Sequence, residues 1–319
     1  MRDVFANPWR GVKEVEDLKA GLEAGKGPIQ VSGCMDSQKV HLMYEASREV
    51  PWKLVVAADG NRAQEIYDDF RYFEPNTWLY PAKDLLFYSA DIHGNLMVKQ
   101  RLSVLKHLME DRGGVVVTTV DGLMDHLVPL ELLCAQAVTV ESGQEMDLEE
   151  WREKLVALGY ERLPQVDGMG QFSIRGGILD IFPLTEEMPV RIELWDTEVD
   201  SIRTFDLESQ RSVEQLEKIT IYPASEMVLT KDRIERGMEK ISREEKKFEK
   251  ALRDQMKTAE AHRIKTVTGE VLDGLREGRK THGLDGFLRS CYEETVTSLA
   301  YVPRWPTGRS LAEPANVPV

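Results

Sequence analysis

Short apolar runs alternate with helix-periodic segments over the first 128 residues. Pro28-Ile29-Gln30-Val31, Lys53 to Ala58, Thr77-Trp78-Leu79-Tyr80 and Gly114 to Thr119 have the length and composition of strands. Between them, Ala63 to Phe70 and Asn95 to Met109 follow the helical period, the second through Leu96, Val98, Leu102, Leu105 and Leu108. Strands spaced by helices predict βαβ units, and so a parallel sheet with helices on both faces. After Pro129 the pattern shortens. A helix from Asp147 to Leu158 precedes strand candidates at about 160–166, 171–174, 177–182, 189–196 and 199–205, with turns at Asp167-Gly168 and Gly176-Gly177. This predicts a small α+β domain with an antiparallel sheet. Lys231 to Arg279 reads as charged helix, with Gly237 and Gly269 the only early breakers. Pro303 to Val319 contains four prolines and no period, so a loop or frayed tail is expected there.

Composition narrows the class. The chain has 319 residues, 42% hydrophobic and 30% charged, which suits a folded protein of two or three domains. Its 41 Lys and Arg against 55 Asp and Glu give a net charge of −14, which argues against general adhesion to nucleic acid or anionic membrane. The charge is uneven, because residues 231–280 carry 15 basic against 11 acidic side chains. No apolar run is long enough to span a bilayer, and Cys34, Cys134 and Cys291 lie far apart. A cytoplasmic protein with free thiols is expected.

Catalytic signals are sparse. Gly33-Cys34-Met35-Asp36-Ser37-Gln38-Lys39-Val40 has the place and spacing of a phosphate loop, G-x-x-x-x-G-K-[ST]. Gly33 and Lys39 fit, but Gln38 replaces the second glycine and Val40 replaces the hydroxyl that would hold Mg²⁺. Coincidence and a decayed nucleotide loop both explain the match, and neither predicts hydrolysis. Asp91 and His93 fit a helix entry better than an acid–base pair. No metal-ligand spacing and no nucleophile motif occur, so no catalytic or metal residue is assigned. The basic side chains Lys246, Lys247, Lys250, Arg253 and Lys257 alternate with Glu244, Glu245, Glu249 and Asp254. A solvated helix laced with ion pairs is the expected reading.

Residues 168–206 are the most informative. Phe172, Ile174, Ile178, Asp180 and Phe182 alternate sides across the Gly176-Gly177 break, and on the neighbouring strand Arg191, Glu193 and Trp195 share one face, opposite Val190, Ile192 and Leu194. An arginine, a carboxylate and an aromatic on one rigid face suit a protein–protein contact, and an incidental solvated sheet face is the alternative reading.

The run Gly170-Gln171-Phe172-Ser173-Ile174-Arg175-Gly176-Gly177-Ile178-Leu179-Asp180-Ile181-Phe182-Pro183, continuing through Arg191 to Asp206, resembles the bacterial transcription-repair coupling factor family, and less closely the excision-repair protein UvrB. Tyr80 to Leu86 through Leu102, and Val116 to Met124, resemble the coupling factors too. The likeness covers roughly residues 5–303.

The resemblance implies an amino-terminal UvrB-like module, a degenerate nucleotide-fold domain interrupted by a small UvrA-binding domain. It places 1–128 in the first part of the UvrB-like domain, 129–213 in the small domain and 214–303 in a mostly helical second part. Residues 304–319 form a tail that departs from the family. Arg175, Arg191 and Trp195 fall where the family contacts UvrA, with Glu193 the acid matched in UvrB. If they form one docking patch, each should be exposed to solvent. The implied role is to recruit UvrA to RNA polymerase stalled at a DNA lesion, in transcription-coupled nucleotide excision repair, with no turnover and no cofactor in this chain. The family's ATP- and Mg²⁺-dependent motor on DNA, and its RNA polymerase-binding domain, are expected outside these 319 residues. The rival reading is a UvrB-like, ATP-dependent DNA-handling enzyme, which Gln38 and Val40 oppose.

Overall fold

The chain folds into two units, Met1–Lys83 with His107–Asp125 and Thr297–Val319, and Asp84–Lys106 with His126–Val296. The computed structural model describes residues 9–83, 91–111, 113–277, 284–297, 301 and 309–312.

The first unit is built on a parallel sheet in the order Arg309–Ala312, Trp52–Ala57, Gly114–Thr119, Thr77–Tyr80. Trp52–Ala57 and Gly114–Thr119 are buried on both faces, which is why they read as unbroken apolar runs. Helices Asp36–Ala46 and Gly60–Phe73 pack Val40, Tyr44, Ile66 and Phe70 onto Val55, Ala57, Val115 and Val117. Asp59 starts the second helix by accepting a hydrogen bond from the Arg62 N–H at 2.9 Å. Gly114 sits at φ +146°, and a Cβ there would lie 2.3 Å from the Trp78 ring and 2.4 Å from the Asn76 carbonyl oxygen. Only glycine lets that strand enter the sheet.

Two segments exchange roles relative to the sequence reading. Pro28-Ile29-Gln30-Val31 is not a strand, and it leaves Ile29 and Val31 exposed. The slot beside Trp52–Ala57 is instead filled in parallel by Arg309–Ala312, inside the expected tail. A buried strand must pair its backbone on both sides. The Pro28 segment, lacking one N–H donor, is the poorer partner.

In the second unit a six-stranded sheet runs Ser212–Leu216, Glu198–Phe205, Val190–Trp195, Ile178–Phe182, Gln171–Arg175, Glu161–Arg162. Its pairs are antiparallel except the last, which is parallel. One face carries the buried Phe172, Leu179, Ile181, Val190, Ile192 and Ile202. The chain is therefore mixed α/β, with a parallel sheet and a largely antiparallel one as expected. The antiparallel part continues past 213, since Ser212–Leu216 extends it and Lys218–Ile221 pairs with Val138–Glu141. The strand expected over 160–166 contracts to Glu161–Arg162. A buried ion pair joins Arg101, on the helix Asp91–Met109, to Glu226 (Nε–Oε1 2.5 Å).

Helices Lys231–Asp254 and Thr258–Glu277 pack together as a hairpin. The break between them falls at neither glycine. The Lys257 N–H reaches the Leu252 carbonyl and the Met256 N–H reaches the Arg253 carbonyl, both at 2.9 Å, with Met256 at φ +61°. This is a Schellman cap with methionine where glycine is usual. Gly237 lies within the first helix, where close packing calls for glycine: a Cβ would lie 2.6 Å from Cys291 Sγ.

Lys53 is buried at the start of its strand, and its ammonium donates to the Val50 carbonyl at 2.8 Å. Burial pushes its pKa below 10.5, partly offset by Glu74 and Glu49. A lysine depressed in the folded state penalises folding while it is charged, and the penalty vanishes once the unfolded chain also loses the proton. The stability of Lys53→Met relative to wild type should therefore be highest near neutral pH and fall as pH approaches 10.5. Urea titrations of both proteins from pH 7 to 10.5 check this, and a pH-independent difference would contradict it.

Candidate functional site

The loop that resembles a phosphate cradle is built as a helix start. The helix begins at Asp36, three residues before Lys39. The Lys39 N–H already donates to the Met35 carbonyl at 3.0 Å, so it is not offered to a phosphate. Gln38 turns its side-chain oxygen back to accept from the Met35 N–H at 3.2 Å, as a residue at the third helical position does in a capping box. Val40 is buried in the core beneath the sheet. Gly33 keeps a left-handed φ of +84°, with open space where a Cβ would stand. Two of the four loop positions thus have structural duties that a nucleotide site would have to displace. Asp91 and His93 fall outside the described side chains. Among the described residues no group of three or more His, Cys, Asp or Glu could hold a metal ion.

The second candidate is the polar face of the six-stranded sheet. Two tight turns shape one end of it. Arg175-Gly176-Gly177-Ile178 turns with Gly176 at φ +61°, the left-handed first position that a two-residue hairpin needs. Trp195-Asp196-Thr197-Glu198 turns with Asp196 at φ +57°. Across the strands, Arg175, Ile178, Glu193 and Ser201 lie in one row, and Ser173, Asp180, Arg191 and Arg203 in the next. Arg175, Arg191, Glu193 and Trp195 thus share one face.

Their environments differ sharply. Asp180 is 1% exposed and accepts from Arg191 Nε at 2.7 Å, from Arg191 Nη2 at 2.9 Å and from Arg175 Nη2 at 2.8 Å. The side-on grip of Arg191 is the strong, bidentate form of this pair. Gln210 adds two contacts to Arg191, from its carbonyl at 3.4 Å and its side-chain oxygen at 3.2 Å, and the Phe205 ring lies 4.6 Å beneath the guanidinium. The hydrogen bond to Asp180 raises the Arg191 pKa further. Arg191 is therefore only 15% exposed, against the expectation of a solvent-facing contact. Arg175 is 47% exposed and Trp195 81% exposed. Glu193 lies between these extremes, accepting from the Ser201 hydroxyl at 3.0 Å with Arg203 at 3.7 Å.

Strand alternation groups Arg191, Glu193 and Trp195 and the resemblance adds Arg175, but neither singles out the carboxylate that two of them share. Asp180 is on the same face by alternation, and that was its only signal. Gln210 comes from a loop folded by Asp206, whose carboxylate accepts from both the N–H and the hydroxyl of Ser209.

Residues 138–227, which contain this sheet face, match the UvrB interaction domain family. That stretch is thus similar to UvrB interaction domains. The match ends at 227, past the 213 expected from the resemblance. The chain is also 32% identical over 302 residues to the transcription-repair-coupling factor of Bacillus subtilis strain 168, covering 92% of this chain and 25% of that protein. Factors of the same name from Staphylococcus haemolyticus and Staphylococcus aureus Mu50 are 32% and 31% identical over 74% and 73% of the chain. The chain spans about a quarter of the length of these relatives or less. The resemblance read from the sequence thus holds for both the interaction domain and the longer coupling factors.

If Val40 serves packing, Val40→Thr places an unpartnered hydroxyl in the core and should cost about 1–3 kcal/mol of stability. It should not create nucleotide binding. Calorimetric titration of ATP with millimolar Mg²⁺ into wild type and variant should give no saturable heat in the micromolar range. A micromolar dissociation constant for the wild-type chain would overturn this account of the loop.

Proposed function

We propose that this chain is a docking module that recruits UvrA, the damage-recognition ATPase, through the polar face of its UvrB interaction domain. Trp195 carries the proposal: a large aromatic 81% exposed on a rigid hairpin, beside two arginines that share a buried carboxylate. Exposed tryptophan is costly to leave in water and is a preferred anchor of protein interfaces. The adjoining guanidinium of Arg175 keeps donors for an acidic group on the partner, while Asp180 fixes its position. In this reading the module brings UvrA to RNA polymerase stalled at a lesion, in transcription-coupled nucleotide excision repair. The ATP-driven translocation on DNA and the polymerase contact are assigned to parts of a longer protein outside these 319 residues. The chain itself is read as a non-enzymatic module, because its loop at Gly33 is spent on capping and packing.

The mutational pattern should separate anchor from support. Trp195→Ala should weaken UvrA binding by about 2 kcal/mol, roughly thirtyfold in Kd, while stability moves by about 0.5 kcal/mol or less. Arg175→Ala should cost about 1–3 kcal/mol of affinity and little stability, since the half-exposed pair is screened by water. Arg191→Ala should instead lower stability by about 2–4 kcal/mol, because it strips the bidentate partner from a buried carboxylate. Glu193→Ala should cost less affinity than either Arg175→Ala or Trp195→Ala, being already held by Ser201. Surface plasmon resonance against purified UvrA, with urea titrations of the same variants, reads both quantities. Wild-type affinity in both Trp195→Ala and Arg175→Ala would end the proposal.

A further inference from the structure

The helix Lys231–Asp254 has a charged face that the docking site does not use. Its acids and bases alternate in sequence but not in direction. At about 100° per residue, Arg236, Lys240, Arg243, Lys247 and Lys250 all fall within about 40° of one line along the helix. The opposite side carries Met238 and Ile241, packed with Val271, Leu272 and Leu275 of the second helix. Glu244, Glu245 and Glu249 point about 80° or more away from the line, Glu239 flanks it at about 60°, and Asp232 and Asp254 close it at its two ends.

The ion-pair lacing expected from the sequence therefore hardly forms. Arg253 pairs with Glu249 at 2.6 Å, off the line. On it, Arg236 meets the exposed Glu293 at 2.5 Å, and Lys240 donates to the Arg289 carbonyl at 2.6 Å. Arg243, Lys247 and Lys250 are exposed and have no ion-pair partner among the described residues. A cleft of 260 Å³ lies beside the first three cations, but Glu239 and Glu293 also line it. It is thus a poor anion pocket, and the open row matters more than the cleft.

Five cations over 15 residues span about 21 Å of helix, and one strand of a duplex presents about six phosphates over that distance. The row also lacks what a protein partner would need. Its line carries no exposed aromatic, whereas Phe248 points well to one side. Phosphate contacts need only charge at the right density. We propose that this face of Lys231–Asp254 is a contact for the phosphate backbone of duplex DNA, weak and salt-dependent on a chain of net charge −14.

Fluorescence anisotropy of a labelled 30-base-pair duplex with the 319-residue chain tests it. Micromolar binding is expected at 50 mM salt, lost by 200 mM. The combined change Lys247→Gln with Lys250→Gln should weaken binding at least about fivefold at 50 mM and lower the slope of log K against log salt by about 2. Its melting temperature should match wild type, because both side chains are exposed. Arg276→Gln, equally exposed on the second helix, should bind as wild type does. Three outcomes would each overturn the proposal: no wild-type binding at 50 mM salt, equal binding by the double variant, or a row-dependent preference for poly-glutamate over duplex.

Discussion

A single buried carboxylate orders the polar face of the six-stranded sheet. Asp180 is almost wholly removed from water, and a bare charge there would cost several kcal/mol. Three N–H groups from Arg191 and Arg175 offset that cost. The two arginines are consequently fixed by each other's partner and cannot sample the rotamers of ordinary surface side chains. Phe205 beneath Arg191 and Gln210 above it complete the cage. A partner meeting this face would find guanidinium groups already oriented, so little side-chain entropy remains to be lost on binding.

The same constraint grades the four residues that strand alternation groups together. Arg191 is structural first, because it is the bidentate partner of Asp180 and is mostly covered. Trp195 is free of such duties, at the mouth of the Asp196 hairpin, and its exposure has no internal explanation. Arg175 belongs to both classes: one nitrogen is committed to Asp180 while about half the side chain faces water. A face of this kind couples fold and recognition through one hydrogen-bonded centre.

How much of this was legible in the sequence depended on range. Period-two alternation suffices to place Arg191, Glu193 and Trp195 together, and the glycine pair at 176–177 marks the turn. The Asp180–Arg191 pair was hidden because it depends on register between two strands, which residue patterns alone do not specify. Ser212–Leu216 escaped because an exposed edge strand needs few apolar residues. Pro28 to Val31 misled in the opposite sense: an apolar run without a buried partner does not become a strand. Met256 concealed the helical turn, since its left-handed cap is held by two backbone hydrogen bonds rather than announced by glycine. On the helix Lys231–Asp254, reading acids and bases as neighbours in sequence predicted pairs that the helical angle separates.

The chain thus carries cationic groups in two physically different settings. On the sheet, arginine charge is largely matched within the protein by Asp180, and the surplus is small and placed beside an aromatic. Such a surface gains from shape, desolvation and a few oriented donors, which favours one protein partner over others. On the helix the charges of Arg243, Lys247 and Lys250 are unmatched among the described residues and regularly spaced. That surface gains mainly from counterion release, which any phosphate chain of suitable charge density supplies and which salt removes. The loop at Gly33 fits neither pattern. With Val40 in the core and Gln38 closing the helix start, two of its residues are committed to folding, and the two cationic faces carry the proposed recognition instead.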